Sequence, residues 1–285
     1  MKRACVFVAG CLFAMLVPSV AAAAQTCFGQ RVTIKGTDRA DTLHGTPGAD
    51  VILGGGGNDR IISAGGNDRI CSGPGNDNVD AGAGNDKVFG MTGADAIKGG
   101  LGDDRLLTGG AEGSEFERII GGPGSDRLDG ESNPDVMDGG PGNDTILGGG
   151  SFQDRFDELS GGLGHDHIVG TQAISAGGQG DDTLETPVVT FADAAGAVAI
   201  NLAEGTATGE GNDYLSGVVE LVGSMHGDTI DGTDRVDTID ALHGDDTIRG
   251  FNGDDTLVGG EGTDDIDGGL GIDTCDGETE FNCEL

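Results

Sequence analysis

Between Gly54 and Leu107 an aliphatic residue recurs at every ninth position, and the residue before it is usually polar. Cut into nines, this stretch gives six copies of one unit, with Gly fourth, Asp sixth and the aliphatic residue eighth. A lone aliphatic residue at this spacing predicts a three-residue strand with one inward side chain, because side chains alternate along a strand. The Gly- and Asn-rich residues before it predict a tight turn.

Such a short strand cannot be stable alone, so successive units must stack. Alternate units are expected to join the same parallel sheet, so that two units make one turn of a flattened solenoid. The Asp-bearing turns then form columns along both edges, about 4.8 Å apart. Carboxylate oxygens in these gaps, together with carbonyl oxygens of the turns, are the ligands that Ca²⁺ prefers.

The unit resembles the nonapeptide G-G-x-G-x-D-x-U-x of the hemolysin-type calcium-binding (RTX) repeat family, where U is a large aliphatic residue. The resemblance implies an all-β fold, a right-handed parallel β-roll solenoid, with Ca²⁺ bound between turns i and i+2. Stacking alone, with fewer sites at interruptions and ends, predicts roughly ten ions. The ligands would be loop carbonyls and sixth-position carboxylates. The candidate metal ligands have Asp sixth and Gly fourth in their units, and they are Asp50, Asp59, Asp68, Asp77, Asp86, Asp95, Asp104, Asp126, Asp144, Asp166, Asp182, Asp246, Asp255, Asp264 and Asp273.

The first 24 residues have the pattern of a secretory signal peptide. Lys2 and Arg3 precede an apolar run from Ala4 to Val17, and Ala21 to Ala24 suit a signal peptidase. A lipobox at Val8 to Cys11 is the alternative, but cleavage there would leave a short stub before it and an apolar tail after it. No other stretch is long and apolar enough to span a bilayer, so we expect a secreted protein without membrane insertion.

The composition excludes several classes of protein. The chain has 58 Gly, 50 Asp or Glu against 15 Lys or Arg, and no Trp, which an α/β enzyme would not show. Its formal charge of −35 excludes nucleic acid as a partner and makes the metal-free chain repel itself. Disorder is the alternative for such a composition, and it is the expected state without calcium, but disorder does not require an aliphatic residue at every ninth position.

Four cysteines follow the signal peptide, an even number that implies two disulfides in an exported protein. Three pairings are possible. Cys275 and Cys283 are close in sequence and are expected to pair, which leaves Cys27 with Cys71. That second bond would require residues 25–30 to leave the repeat and fold across the sheet, and free thiols remain the alternative.

Three segments follow the signal peptide. Residues 25–185 are expected to form a first array, 186–222 irregular, longer β turns within the solenoid, and 223–285 a second array with a C-terminal cap. Four extra residues at 108–111 and again at 148–151 interrupt the first array. The degraded units after them carry Glu117 and Asp157 at the Asp position, and we expect weak or absent metal sites there.

No catalytic motif stands out. His165 and His167 flank the Asp of an ordinary unit, and neither H-E-x-x-H nor G-x-S-x-G occurs. We therefore expect a non-catalytic calcium-binding module with a structural or adhesive role, whose cell-surface or matrix partner the sequence does not identify. The alternatives are a remnant or accessory of an extracellular hydrolase or epimerase-like enzyme, with activity around 186–222, or an ice-binding solenoid. The latter needs flat outward arrays of Thr, whereas the outward positions here are mixed.

Overall fold

The protein is an all-β solenoid of about 13 turns, built from two long sheets. The computed structural model describes residues 26–109, 116–150, 155–277 and 279–283, and these residues contain no helix. The predicted signal peptide, residues 1–24, lies outside them. Among the described residues no helix is long and apolar enough to cross a membrane. The predicted fold class is confirmed.

The strands are numbered along the chain. A two-stranded hairpin opens the described region, with β1 at Thr26–Cys27 and β2 at Gln30–Arg31. The 13-stranded sheet contains, in chain order, β4 (Thr42–His44), β6 (Arg60–Ile62), β8 (Asn78–Ala83), β10 (Ala96–Leu101), β12 (Glu117–Ile120), β14 (Asp135–Pro141), β16 (Asp157–Leu163), β18 (Ala173–Gln179), β20 (Val188–Thr190), β24 (Glu220–Val222), β26 (Thr238–Asp240), β28 (Thr256–Val258) and β30 (Thr274–Asp276). The 16-stranded sheet contains β3 (Ile34–Lys35), β5 (Val51–Leu53), β7 (Arg69–Pro74), β9 (Lys87–Thr92), β11 (Arg105–Leu107), β13 (Arg127–Asp129), β15 (Thr145–Gly149), β17 (His167–Gly170), β19 (Thr183–Glu185), β21 (Ala199–Asn201), β22 (Thr206–Thr208), β23 (Asn212–Ser216), β25 (Thr229–Asp231), β27 (Thr247–Arg249), β29 (Asp265–Asp267) and β31 (Thr279–Phe281).

The core is a double row of eighth-position aliphatic side chains. Strands two units apart pair in parallel, so that Ile61 lies beside Val79 in one sheet and Ile70 beside Val88 in the other. All four are at most 1% exposed, whereas the residues before and after them face outward. Burial of one side chain per nonapeptide thus follows from the period-two alternation of a very short strand.

The four-residue insertions do not shift the register of the sheets. Ile97 of β10 pairs with Ile119 of β12, and Leu106 of β11 with Leu128 of β13, across 22 residues where most other neighbours are separated by 18. The inward rows therefore continue unbroken across the insertion.

The segment 186–222 stays within the two sheets but contains an antiparallel meander that its sequence pattern did not predict. In the 16-stranded sheet β21, β22 and β23 form an antiparallel meander between β19 and β25, while β20 and β24 are direct neighbours in the other sheet. Gly205 and Gly209 adopt positive φ (67° and 141°) beside β22, which allows the chain to reverse within one sheet. The expected longer turns are thus replaced, in one sheet, by two hairpins.

Two disulfides hold the ends. Cys27 on the N-terminal hairpin bonds to Cys71 on β7, and Cys275 on β30 bonds to Cys283, with Cα–Cα distances of 5.8 and 5.9 Å. Both pairings are those expected from the sequence. The β1 strand contacts β5 and β7, so the first residues do leave the repeat and lie against the solenoid.

Candidate metal sites along the two edges

Each candidate site begins with a Gly-rich turn that brings backbone oxygens close to the next turn in its column. Gly75 has φ 138°, and a Cβ there would clash with the carbonyl oxygen of Gly57, one solenoid turn earlier. A side chain is therefore excluded on steric and conformational grounds. The close stacking that results is what places carbonyl oxygens near the carboxylate that follows each turn.

The sixth-position Asp residues form continuous columns. The backbone N–H of Asp59 donates to Oδ1 of Asp77 (2.7 Å), and that of Asp77 donates to Oδ1 of Asp95 (2.9 Å). The other edge repeats the pattern from Asp68 to Asp86 at 2.8 Å. Each carboxylate is therefore held by the turn before it through its Oδ1, and its Oδ2 takes no part in this hydrogen bond.

The second oxygen of these carboxylates is buried without a hydrogen-bond partner. This holds for Oδ2 of Asp59, Asp68, Asp77, Asp86, Asp95, Asp104, Asp126, Asp144, Asp166, Asp182, Asp246 and Asp255. A buried carboxylate oxygen with no donor is strongly unfavourable, because charge in a protein interior needs a counter-charge or a hydrogen bond. A repeated set of such oxygens fits a divalent cation with oxygen ligands.

Burial changes the proton affinity of the columns. It raises the pKa of Asp95 to about 8 and that of Asp104 to about 7, and the neighbouring carboxylates of each column add to the effect. The pKa of Asp86 is raised to about 6 for the same reasons. Without a cation Asp95 would hold its proton at neutral pH and Asp104 would be about half protonated, whereas a bound cation would keep both ionised.

Side-chain clusters alone do not make these sites. Among the described residues no group of three or more His, Cys, Asp or Glu side chains converges on one point. A cation in the columns would therefore be held by two stacked carboxylates together with backbone carbonyls. His165, in a turn, instead contacts Asp181, and His167, at the start of β17, contacts Glu185; both histidines are exposed.

Asp50 has a different environment from the other candidates. Its Oδ2 accepts hydrogen bonds from the backbone N–H (2.6 Å) and Oγ1 (2.8 Å) of Thr46, the second residue of its unit, where most units have Gly. Asp41 is held by Thr37 in the same way, and both hydrogen bonds lower its pKa. These turns begin the first array, and their carboxylates are satisfied by the protein itself.

The second array begins in the same way. Ser224 binds Asp228, and Thr233 binds Asp237, through backbone N–H and hydroxyl donors. Further along, the backbone N–H groups of earlier turns donate to Oδ1 of Asp264 (3.0 Å) and of Asp273 (2.9 Å), so both lie in their columns as expected.

Four more acidic residues of the columns lie outside the candidate set. Glu117, Asp135 and Asp157 stack in one column at 0–1% exposure. Burial, with the Glu117 and Asp157 carboxylates, raises the pKa of Asp135 to about 9. The fourth, Asp213, accepts a hydrogen bond from the N–H of Asp182 (3.1 Å).

The sequence contained a pattern that identifies Asp213 as a column residue. Residues 208–216, TGEGNDYLS, are a complete unit with Gly second and fourth, Asp sixth and Leu215 eighth, hidden within an irregular segment. The sequence places Glu117 and Asp157 at the Asp position once the four extra residues before each unit are set aside.

Comparison with known proteins gives one family. The family model described as RTX calcium-binding nonapeptide repeat (4 copies) matches residues 35–70, 72–106, 117–151, 222–253 and 244–275, which together make up more than half of the chain. No curated protein matches the chain. The units that bear Asp166 and Asp182 lie outside the matched ranges but share the column geometry.

Proposed function

Because the chain belongs to the RTX calcium-binding nonapeptide repeat family, we propose that it is a secreted, non-catalytic protein that folds on Ca²⁺ and serves as a structural or adhesive extracellular module. The observation that carries this proposal is the series of buried, unpartnered Oδ2 atoms along both edges. Calcium would neutralise the paired carboxylates and connect successive turns. Within the protein, each carboxylate is held in its column by the hydrogen bond that its Oδ1 accepts from the backbone N–H of the preceding turn.

We expect about ten ions. Ten neighbouring pairs of candidate Asp residues are joined by the column hydrogen bonds, once Asp50 is set aside. An ion shared by each pair would remove two of the 35 excess negative charges. The metal-free chain lacks this neutralisation by calcium and buries only one aliphatic side chain per nonapeptide, so ion binding would supply much of the folding free energy.

Export is supported by the chemistry of the cysteines. Two disulfides between described residues, one of them joining positions 44 residues apart, are typical of oxidising compartments.

Absence of catalysis belongs to the same proposal. The cleft of about 490 Å³ beside the irregular segment is lined by apolar residues with Asp234, Arg235 and Asp237, and Asp237 is already bound by Thr233. The described residues that line this cleft include no Ser, Cys or His.

Far-ultraviolet circular dichroism with and without Ca²⁺ tests the proposal directly. At a pH above about 8, the raised pKa of Asp95, removal of calcium with excess chelator should abolish the β spectrum, and readdition should restore it. Magnesium is the matched control, because Mg²⁺ requires a smaller octahedral site and dehydrates reluctantly. A β spectrum that is unchanged in excess chelator would contradict calcium-dependent folding.

A further inference from the structure

An uninterrupted row of basic residues crosses the outer face of the 16-stranded sheet. Arg69 of β7 pairs in register with Lys87 of β9, Lys87 with Arg105 of β11, and Arg105 with Arg127 of β13. These are seventh-position residues, which face outward, and all four are half-buried or exposed. Neighbouring strands lie about 4.8 Å apart, so four cations follow one another over roughly 14 Å.

The row is unfavourable for the isolated protein. Like charges directly opposite each other on neighbouring strands are destabilising. Within the described part of the chain, Arg127 has an ion-pair partner in Asp129 (3.7 Å), and no ion pair involves Arg69, Lys87 or Arg105. Lys87 and Arg105 are exposed, and Arg69 is half-buried on the strand that the N-terminal hairpin contacts, so all three cations reach solvent and are available to an external anion.

Carboxylates are missing from the ninth position of the first three strands of the row, β7, β9 and β11, whereas β13 has Asp129 there. The outward ninth-position residues of β5, β7, β9 and β11 are Leu53, Cys71, Phe89 and Leu107, none of them acidic. In a chain with 50 Asp or Glu this is a local reversal of charge. Every Lys and Arg after residue 24 lies before residue 186 except Arg235 and Arg249, so the second array has no comparable surface.

The same row continues as hydrogen-bonding side chains and ends on an aromatic one. Thr145, His167 and Thr183 follow Arg127 in register, and Tyr214 of β23 comes next. Tyr214 is the one tyrosine of the chain and is 54% exposed. An exposed aromatic ring in line with cations and hydroxyl groups provides stacking as well as polar contacts for an extended ligand.

We infer that this row binds an extended acidic polysaccharide, a chain of hexuronate units lying along the solenoid axis across the strands. Carboxylates on the side of the chain that faces the sheet would meet cations of the row, and a sugar ring would stack on Tyr214. Duplex DNA fits worse, because its phosphates recur about every 3.4 Å along each strand of a curved surface. The inference rests on the proposed adhesive role and names its partner.

Binding of a fluorescently labelled galacturonate octamer, measured by anisotropy in Ca²⁺-containing buffer, tests the row. The triple variant Arg69→Gln, Lys87→Gln, Arg105→Gln should weaken binding by about tenfold or more, since one exposed ion pair contributes about two- to fivefold. The charge-conserving swap Arg69→Lys, Lys87→Arg, Arg105→Lys should bind within about twofold of the parent, because the exposed cations stay in place.

The opposite sheet provides a matched control. Arg60, Lys98 and Arg118 are exposed on the 13-stranded sheet but are not contiguous in one row. Changing all three to Gln alters the net charge by the same amount and should leave octamer binding within about twofold, because distant exposed charges are screened. Equal losses in the two triple variants would overturn the inference, since general electrostatic attraction would then explain the binding.

Three further measurements separate the alternatives. A methyl-esterified octamer should not bind, and a DNA duplex that binds as tightly as the galacturonate octamer would overturn the choice of partner. Tyr214→Ala should weaken binding severalfold while Tyr214→Phe retains it; equal loss in both would overturn the stacking contact. A chain that folds with calcium but does not bind the octamer would contradict this inference alone, whereas binding by a chain that folds without calcium would support the row and contradict the proposed function.

Discussion

Replacement of Asp77 by Ala should remove two calcium ions from the middle of a column, whereas the same change at Asp273 should remove one from its end. Asp77 lies between Asp59 and Asp95, accepting a hydrogen bond from the first (2.7 Å) and donating one to the second (2.9 Å). Its Oδ2 is buried without a partner. Asp273 accepts a hydrogen bond from Asp255, and no later Asp follows it in the described part of the column.

The magnitude follows from the interactions that each substitution removes. In both variants one buried backbone N–H is deprived of its carboxylate acceptor, which costs about 1–3 kcal/mol. Each missing ion removes about 2.7 kcal/mol of stabilisation when free Ca²⁺ is a hundred times its dissociation constant. Asp77→Ala should therefore lower the free energy of unfolding by about 1.5 to 1.7 times as much as Asp273→Ala, and a central gap should also reduce the cooperativity of a nearest-neighbour stack.

Isothermal titration gives the number of ions, and thermal melts at fixed Ca²⁺ give the stability. Asp80→Ala is the control, because Asp80 is the outward ninth-position residue of the same unit and its change removes a carboxylate without touching the column. This control should retain every ion. Equal ion and stability losses in Asp77→Ala and Asp273→Ala would refute the shared-ligand column.

Three other outcomes concern the ends of the arrays, the cysteines and the response to pH. Asp50→Ala should lose fewer ions by titration than Asp68→Ala, because Thr46 already occupies Oδ2 of Asp50; equal losses would show that calcium displaces the threonine. The exported protein should have no free thiol, so its intact mass should rise by about four hydrogens on reduction of two bridges, and a reactive thiol in the denatured, unreduced protein would contradict this. In calcium-free buffer the circular dichroism signal of the β structure should weaken as pH rises from about 5 to about 8. The raised pKa of groups such as Asp95 (about 8) means that the folded state binds protons which the unfolded chain releases. Saturating calcium should abolish this pH dependence.

Local sequence is enough to specify the repeating part of the molecule. Each nonapeptide contains its own turn and its own strand, so the inward position of Ile61 or Ile70 and the edge position of Asp59 or Asp68 follow from local alternation and stacking. The disulfide between Cys275 and Cys283 is equally local, because eight residues separate its ends. Because the same turn and strand repeat in every unit, few other folds are open to this part of the chain.

Long-range packing settles what happens where units differ from the repeat. The antiparallel meander of β21 to β23 depends on which sheet accepts each strand, and Asp213 enters its column only through that choice. Whether the Asp50 carboxylate faces a cation or Thr46 depends on one hydroxyl group four residues away, whose orientation no periodicity specifies. The step from Arg105 to Arg127 spans an insertion, so their adjacency, and with it the basic row, is fixed by the pairing of β11 with β13 and not by the nine-residue period. Non-local pairing, unlike alternation within a strand, is fixed by the packing of the whole sheet.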